Sequence, residues 1–261
     1  HIVLFANGKP YTIVQKNIID SIYKMKNKRI GIHEFDLEKI KKYSWFKYLE
    51  DFPKVKKENG KRDGYFNCYF PFIIQEVYNN VAKDSLIYLV ASSRHYHEGF
   101  TEHIYKLCNL ANKYNFIAGH IDNQLYNDDK NLQLLNNLKL WKIIINNETE
   151  DNLNKYIKGP MVCNSFYILK KTECNDNFIK EWPYYTAIFR NDYFTDPIGS
   201  YHHCAEQNIF GILAYKYNKS VFYDERKLEY ICKSKNEPLK SINQIDGNAD
   251  KFIIKVRDFK K

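Results

Sequence analysis

The segment from Ile2 to Ile32 limits what this chain can fold into more than any other. Ile2 to Ala6 is an apolar run of strand-forming residues, closed by Asn7-Gly8 and Pro10. Apolar residues then recur at helical spacing at Ile13, Val14, Ile18, Ile19 and Ile22, until the polar run Asn27-Lys28-Arg29 ends the pattern. Ile30 to Ile32 reads as a second short strand. Strand, tight turn, helix and strand in that order form a βαβ unit, which commits the chain to a parallel sheet covered by helices.

The rest of the chain repeats the alternation. Leu37 to Leu49 reads as a helix, and a basic loop from Lys54 to Asp63 follows it. Phe70 to Val81 is apolar at helical intervals, and Leu86 to Ala91 is a compact run suited to a buried central strand. Thr101 is placed to cap a helix through Ile104, Leu107, Leu110 and Ala111, ahead of a strand at Phe116 to Ala118. Leu132 to Ile145 reads as a helix and Met161 to Leu169 as a strand. Asn175 to Trp182 starts a helix that Pro183 disturbs or follows, Ala205 to Tyr217 is strongly periodic, and Ser220 to Tyr223 is a last short strand. No repeat and no Pro- or Gly-rich linker divides the chain. The expectation is one α/β domain over 1–228, with a polar tail over 229–261 wrapping it.

Composition narrows the partners. A formal charge of +9 calls for anionic company, and nucleic acid, a phosphorylated cofactor and an acidic membrane surface all meet it. The excess sits in Lys24 to Arg29, Lys54 to Arg62 and the final Lys260-Lys261, which a solvated basic surface also explains. No RRM, KH or helix-turn-helix signature accompanies the charge, so nucleic acid is not the expected partner. The six cysteines are scattered without a CxxC pair, which favours reduced thiols over a metal or redox motif. No run approaches the roughly 18 apolar residues of a membrane-spanning helix. His1-Ile2-Val3-Leu4-Phe5 turns polar too soon for a signal peptide and reads as a buried strand, so a cytoplasmic protein, with at most peripheral membrane contact, is expected.

Three segments in order carry a family likeness. Asp63-Gly64-Tyr65-Phe66-Asn67-Cys68-Tyr69-Phe70-Pro71, followed by Asp84-Ser85-Leu86-Ile87-Tyr88-Leu89, is similar to a GYW-x-W-K-P-Y helix start before a D-x-L-L-Y-L-D-A strand. Met161 to Lys171, continuing to Phe178-Ile179-Lys180-Glu181-Trp182, resembles a strand and then a helix carrying F-x-x-E-W. His202-His203-Cys204-Ala205-Glu206-Gln207-Asn208-Ile209-Phe210 is similar to an H-R-x-D-Q-S-I-F helix start. Together they resemble the GT-A-fold nucleotide-sugar glycosyltransferases that build surface or capsular polysaccharides in bacteria and large viruses. The resemblance implies a Rossmann-like, mostly parallel central sheet flanked by helices in a single domain. It also implies a UDP- or GDP-sugar donor and a glycan or other hydroxyl acceptor.

One departure stands out. Such enzymes end the central strand in an acidic motif that holds a divalent metal, Mn or Mg, against the diphosphate. Here the strand ends Val90-Ala91-Ser92-Ser93-Arg94-His95, without a carboxylate.

The resemblance and the chemistry together select a set of residues. Ligands of open α/β sheets bind at the carboxyl ends of strands, which brings in Ala6, Asn7 and Tyr11 after the first strand and Ala91, Ser92 and Ser93 after the central one. Asp63 and Tyr65 lie before a helix entry, where a tyrosine face stacks on a nucleobase. Arg94, with its planar fork, and His95 are expected to offset diphosphate charge. Glu206 is expected to act as base or donor-face carboxylate. His97, Asn164, Ser165, His202 and Gln207 are expected to bind substrate, with Asp192 and Asp196 as weaker sugar-hydroxyl partners, and His203 is the expected metal ligand. Bland readings compete: an ordinary Asn-Gly turn, core packing for Phe70 and Phe72, and a favourable first-turn charge for Glu206. The alternative function is a GT-A-like glycan- or nucleotide-binding module that has lost catalysis.

Overall fold

The computed structural model describes residues 1–8, 11–26, 29–50, 56–57, 60–61, 68–91, 94–96, 100–121, 140–151, 161–188, 205–217, 222–224 and 253–255. β3 (Lys56–Lys57) and β4 (Gly60–Lys61) form an antiparallel pair of their own. In chain order the strands of the main sheet are β1 (Ile2–Phe5), β2 (Ile32–Phe35), β5 (Leu86–Ala91), β7 (Phe116–Ile121), β8 (Met161–Lys170) and β9 (Phe222–Asp224), with β6 (Arg94–Tyr96) between β5 and β7 in the chain. The main sheet is six-stranded, in the order β2-β1-β5-β8-β7-β9. β1 pairs in parallel with β2 and β5, and β7 pairs in parallel with β9. β8 alone runs antiparallel, between β5 and β7. The expected mostly parallel α/β sheet is therefore present, with one reversed strand near its middle. Its five parallel strands end at a common edge, called here the carboxyl edge, where β8 begins.

Helices cover both faces. On one face α1 (Tyr11–Lys24) and α5 (Phe100–Tyr114) bring Ile18, Ile22, Ile104, Leu107 and Ala111 onto Leu4, Tyr88, Val90, Ile117 and Ile168. On the other lie α2 (Leu37–Ile40), α3 (Lys47–Glu50), α4 (Phe70–Asn80), α6 (Glu173–Ile188) and α7 (Ala205–Lys216), packed on Val3, Phe5, Ile87, Leu89, Tyr167 and Leu169. Alternate residues of β1 and β5 thus serve opposite cores, as a strand buried on both faces requires. No helix among the described residues is long and apolar enough to cross a membrane.

Several expectations need correction. The stretch from Leu37 to Leu49 is not one helix. Asp36 caps a short α2 by accepting from Lys39 N–H at 2.7 Å, and a 3-10 turn at Ser44–Phe46 separates α2 from α3. Stacked Tyr43 and Trp45, and Trp45 on Phe72, hold that break. β2 starts at Ile32 rather than Ile30, and Thr101 lies inside the first turn of α5, which begins at Phe100. Of the expected helix from Leu132 to Ile145, residues 132–139 lie outside the described residues and 140–144 are helical. The described part of the tail includes β10 (Ile253–Lys255), which pairs antiparallel with β6 (Arg94–Tyr96).

Pro183 neither ends nor follows α6, which runs through it to Ile188. Proline has no N–H to give the carbonyl four residues back, here that of Ile179. The Gln75 side chain of α4 supplies the missing donor, with Nε2 3.3 Å from that oxygen. A long helix thereby tolerates an interior proline, and the same bond ties α4 to α6. Gln75→Ala is expected to cost about 1 kcal/mol in urea unfolding. Adding Pro183→Ala should recover much of that loss, because the restored N–H can satisfy Ile179. Simple additivity of the two changes would contradict the compensation.

The amino ends of the strands are joined by a second set of polar contacts. The Tyr78 hydroxyl lies 2.7 Å from Asp176 Oδ1 and accepts from Thr172 N–H at 3.2 Å. Burial first, then Asp176, raises the Tyr78 pKa, so the phenol stays protonated. Buried Asn175 donates to the carbonyls of Asn115 and Lys170 at 2.8 and 2.7 Å, closing the β8–α6 turn onto the start of β7. Cys108 is a free thiol.

Candidate functional site at the carboxyl edge

The residues expected to act together come from distant parts of the chain, and the sheet register shows which meet. Phe5, the last residue of β1, stands opposite Ala91, the last of β5. On the other side of β5, Val90 pairs with Phe166, so Asn164 and Ser165 extend β8 past the end of β5 on the same edge. The strand ends expected to hold donor and substrate are therefore neighbours.

The turn after β1 suits close approach. Ala6 is fully buried and its N–H donates to the Phe35 carbonyl at 3.0 Å, so the exposed part of this turn begins at Asn7. Asn7 is exposed, and Gly8 has φ +72, the left-handed region where glycine is unstrained. Among the described residues, nothing lies within 4 Å of a Cβ placed on Gly8, so this turn is open beside Gly8. The Gly8 carbonyl accepts from Thr12 N–H at 3.2 Å, which starts α1 with half-buried Tyr11 at its head.

The amino terminus of α4 points to the same edge. Tyr69 stacks on Phe5 with ring centroids 3.9 Å apart, while Tyr78, near the other end of the helix, bonds to Thr172 below the strands' amino ends. Phe70 and Phe72 are core residues, as the bland reading has it. α7 has the same sense. It leads within a few residues into β9, which enters the sheet parallel to β7, so the helix must descend from the carboxyl edge. Its Tyr217 end meets Phe178 of the lower part of α6 at 6.2 Å. Glu206 and Gln207, in its first turn, thus belong to the carboxyl edge. α4, beside Phe5, turns its positive end toward the end of β1, and α7, packed over β7 and β8, turns its own toward the same edge, an arrangement that favours an anion.

Other expectations resolve differently. Arg94 and His95 lie in β6, directly after β5, opposite Lys255 and Ile254 of β10. Asp63, Tyr65, Ser92, Ser93, His97, His202 and His203 lie outside the described residues, as do Asp192 and Asp196. The family-like Glu181-Trp182 pair is structural. Glu181 holds Lys216 of α7 at 2.8 Å, and Trp182 is fully buried against Tyr167 and Phe210. The resemblance also implies a divalent metal, and the donor set offers little for one. β5 ends in Ala91, and among the described residues no three His, Cys, Asp or Glu side chains gather.

Reading the sequence alone missed one pair. β7 continues to Ile121, past the bulge between Ala118 and Gly119, and sets His120 opposite Asp224 of β9 at the carboxyl edge. The signal was present in Gly119-His120-Ile121-Asp122, but glycine made Ala118 look like the strand's end.

A cavity of about 400 Å³ lies instead by the opposite edge, between α4 and α6, lined by Gln75, Tyr78, Lys171, Asp176 and Lys180. Four of its polar groups are already engaged: Lys171 Nζ bonds to the Val81 carbonyl at 2.6 Å, Gln75 to the Ile179 carbonyl, and Tyr78 to Asp176. It joins two helices and is not the candidate site.

No family model matches the chain, and no curated protein matches its sequence. Among solved structures it is similar to mouse Xyloside xylosyltransferase 1 in its apo form, at 8% identity over 86% of this chain and 84% of that one, with a TM-score of 0.42. At that level the likeness carries no argument about activity.

Proposed function

We propose that this chain is a glycosyltransferase of the GT-A type, moving a sugar from a UDP- or GDP-sugar to a hydroxyl of a glycan or similar acceptor. The observation that carries the reading is the convergence at the carboxyl edge. The ends of β1 and β5 are adjacent, β8 begins beside them, and α4 and α7 have their amino termini at the same edge. A nucleotide sugar needs such a place, with a turn that admits a nucleoside and positive helix ends for a diphosphate. On this reading the Ala6-Asn7-Gly8 turn, Tyr11, Asp63 and Tyr65 hold the nucleoside, and Ala91, Ser92 and Ser93 line the diphosphate. Arg94 and His95 offset its charge, with His203 as a further contact or a ligand of a bound metal. His97, Asn164, Ser165, His202 and Gln207 receive the sugar and acceptor.

The chemistry follows from these placements. The acceptor oxygen forms a bond to the sugar's anomeric carbon as the bond from that carbon to the diphosphate oxygen breaks. The acceptor proton passes to the Glu206 carboxylate, and the electron pair leaves with the nucleoside diphosphate. The absence of a carboxylate at the end of β5 favours one competitor, a domain of the same shape that binds nucleotide or glycan without turning over.

A thermal-shift screen of nucleotide sugars, with and without manganese, tests the proposal. One UDP- or GDP-sugar at about one hundred times its dissociation constant should stabilise the fold by about 2.7 kcal/mol. No shift with any nucleotide sugar would remove the reading. A shift without donor hydrolysis or transfer would leave the binding module.

A further inference from the structure

The basic run Lys24 to Arg29 plays no part in the carboxyl-edge site, because α1 descends from that edge and ends at the opposite one. α5 descends beside it over the same face, in the same apolar cluster, so both helices finish at the amino edge of the sheet. Each ends in an exposed tyrosine beside lysine. Tyr23 is 67% exposed next to Lys24, with Lys26 following, and Tyr114 is 42% exposed, with the Lys113 ammonium 5.0 Å from its ring centre. Lysine in a last helical turn is favoured by the helix dipole, which accounts for Lys24 and Lys113 but not for the tyrosines turned to water. The acids of this rim are occupied, Glu173 with Lys83 at 3.3 Å and Asp84 with Lys170 at 3.2 Å. Among the described residues no carboxylate pairs with Lys24, Lys26 or Lys113, and Asp20, one turn before Lys24, makes no ion pair with it.

The geometry points to the amino edge, at the ends of α1 and α5, as a docking surface for a bilayer containing anionic phospholipid. Tyrosine places its ring at headgroup depth with its hydroxyl in water, while lysine lays its stem along the same level and meets phosphate. Clustered lysines are drawn to an anionic leaflet. The surface is a pair of helix ends rather than a groove, which matches a flat partner better than a threaded polyanion. Docked in this way, the chain holds its carboxyl edge away from the lipid. The inference does not depend on the nucleotide-sugar reading.

Cosedimentation with vesicles of phosphatidylcholine alone, and with phosphatidylserine added, tests it. Binding is expected only with phosphatidylserine and should weaken as salt rises. K24E/K26E/K113E should reduce it about tenfold or more. Y23S/Y114S should reduce it severalfold while leaving the charge unchanged. K41E/K42E/K47E makes the same change in charge around α2 and α3 on the other face, after β2 at the carboxyl edge, and should lose far less. Equal loss from both triple variants, or no preference for phosphatidylserine, would overturn the proposal. So would an oligonucleotide that binds as tightly and is indifferent to the tyrosines. Circular dichroism checks each variant, and if the triple charge reversal unfolds, the tyrosine variant decides alone.

Discussion

Replacing Trp182 with alanine should lower the free energy of unfolding by about 3–5 kcal/mol, a large part of a domain's usual stability. Trp182 is fully buried in α6, where its ring meets Tyr167 of β8 edge-on at 5.4 Å and Phe210 of α7 at 4.7 Å. Phe210 in turn lies 5.7 Å from Phe116 of β7 and 5.2 Å from Phe178 of α6. Trp182 therefore joins two helices to β8 and, through Phe210, to β7. An alanine there leaves a void that rigid aromatic neighbours cannot close. Urea unfolding measures the effect, and Tyr184→Ala on the exposed side of α6 is the control, expected to stay within about 0.5 kcal/mol. Equal effects at the two positions would show that the α6–α7 contact is not the packed core described here.

Glu206→Gln should reduce sugar transfer by about 10² to 10⁴-fold while leaving the donor's binding shift in place. The substitution keeps shape and hydrogen bonding but removes the carboxylate proposed to take the acceptor proton. The competing role for Glu206 is a favourable charge in the first turn of α7, worth about 0.3–1 kcal/mol to stability. The two roles separate cleanly. A proton acceptor shows a fall in kcat with donor affinity intact and a changed pH profile, whereas a helix-end charge shows a small drop in Tm and little change in rate.

The sequence carried the fold where apolar period and length agreed. β1, α1, α4, β5, β8 and α7 lie close to where the hydrophobic pattern sets them, because each buries its apolar positions against the sheet. Errors fell where local chemistry was outweighed by distant partners. Pro183 reads as a helix breaker, yet Gln75, more than one hundred residues earlier, supplies the donor that keeps α6 whole. Leu37 to Leu49 reads as one helix, yet stacking of Tyr43 and Trp45 against Phe72 divides it. The antiparallel sense of β8 has no local signal, since a strand buried on both faces has the same composition in either direction.

The site was legible to the same extent. Asn7, Ala91, Asn164 and Glu206 could each be chosen because they stand at the ends of predicted elements; the register brings the strands that carry the first three to one edge, and the direction of α7 sets its first turn there too. The His120–Asp224 pairing was not legible, because it depends on a bulge that carries β7 past Gly119.

A crystal structure of the protein soaked with UDP or GDP tests the central claim most directly. The account predicts the diphosphate at the carboxyl edge, in front of the Asn7-Gly8 turn and the end of β5, between the amino termini of α4 and α7. Density for the nucleotide in the cavity between α4 and α6, or at the lysine-rich ends of α1 and α5, would contradict it.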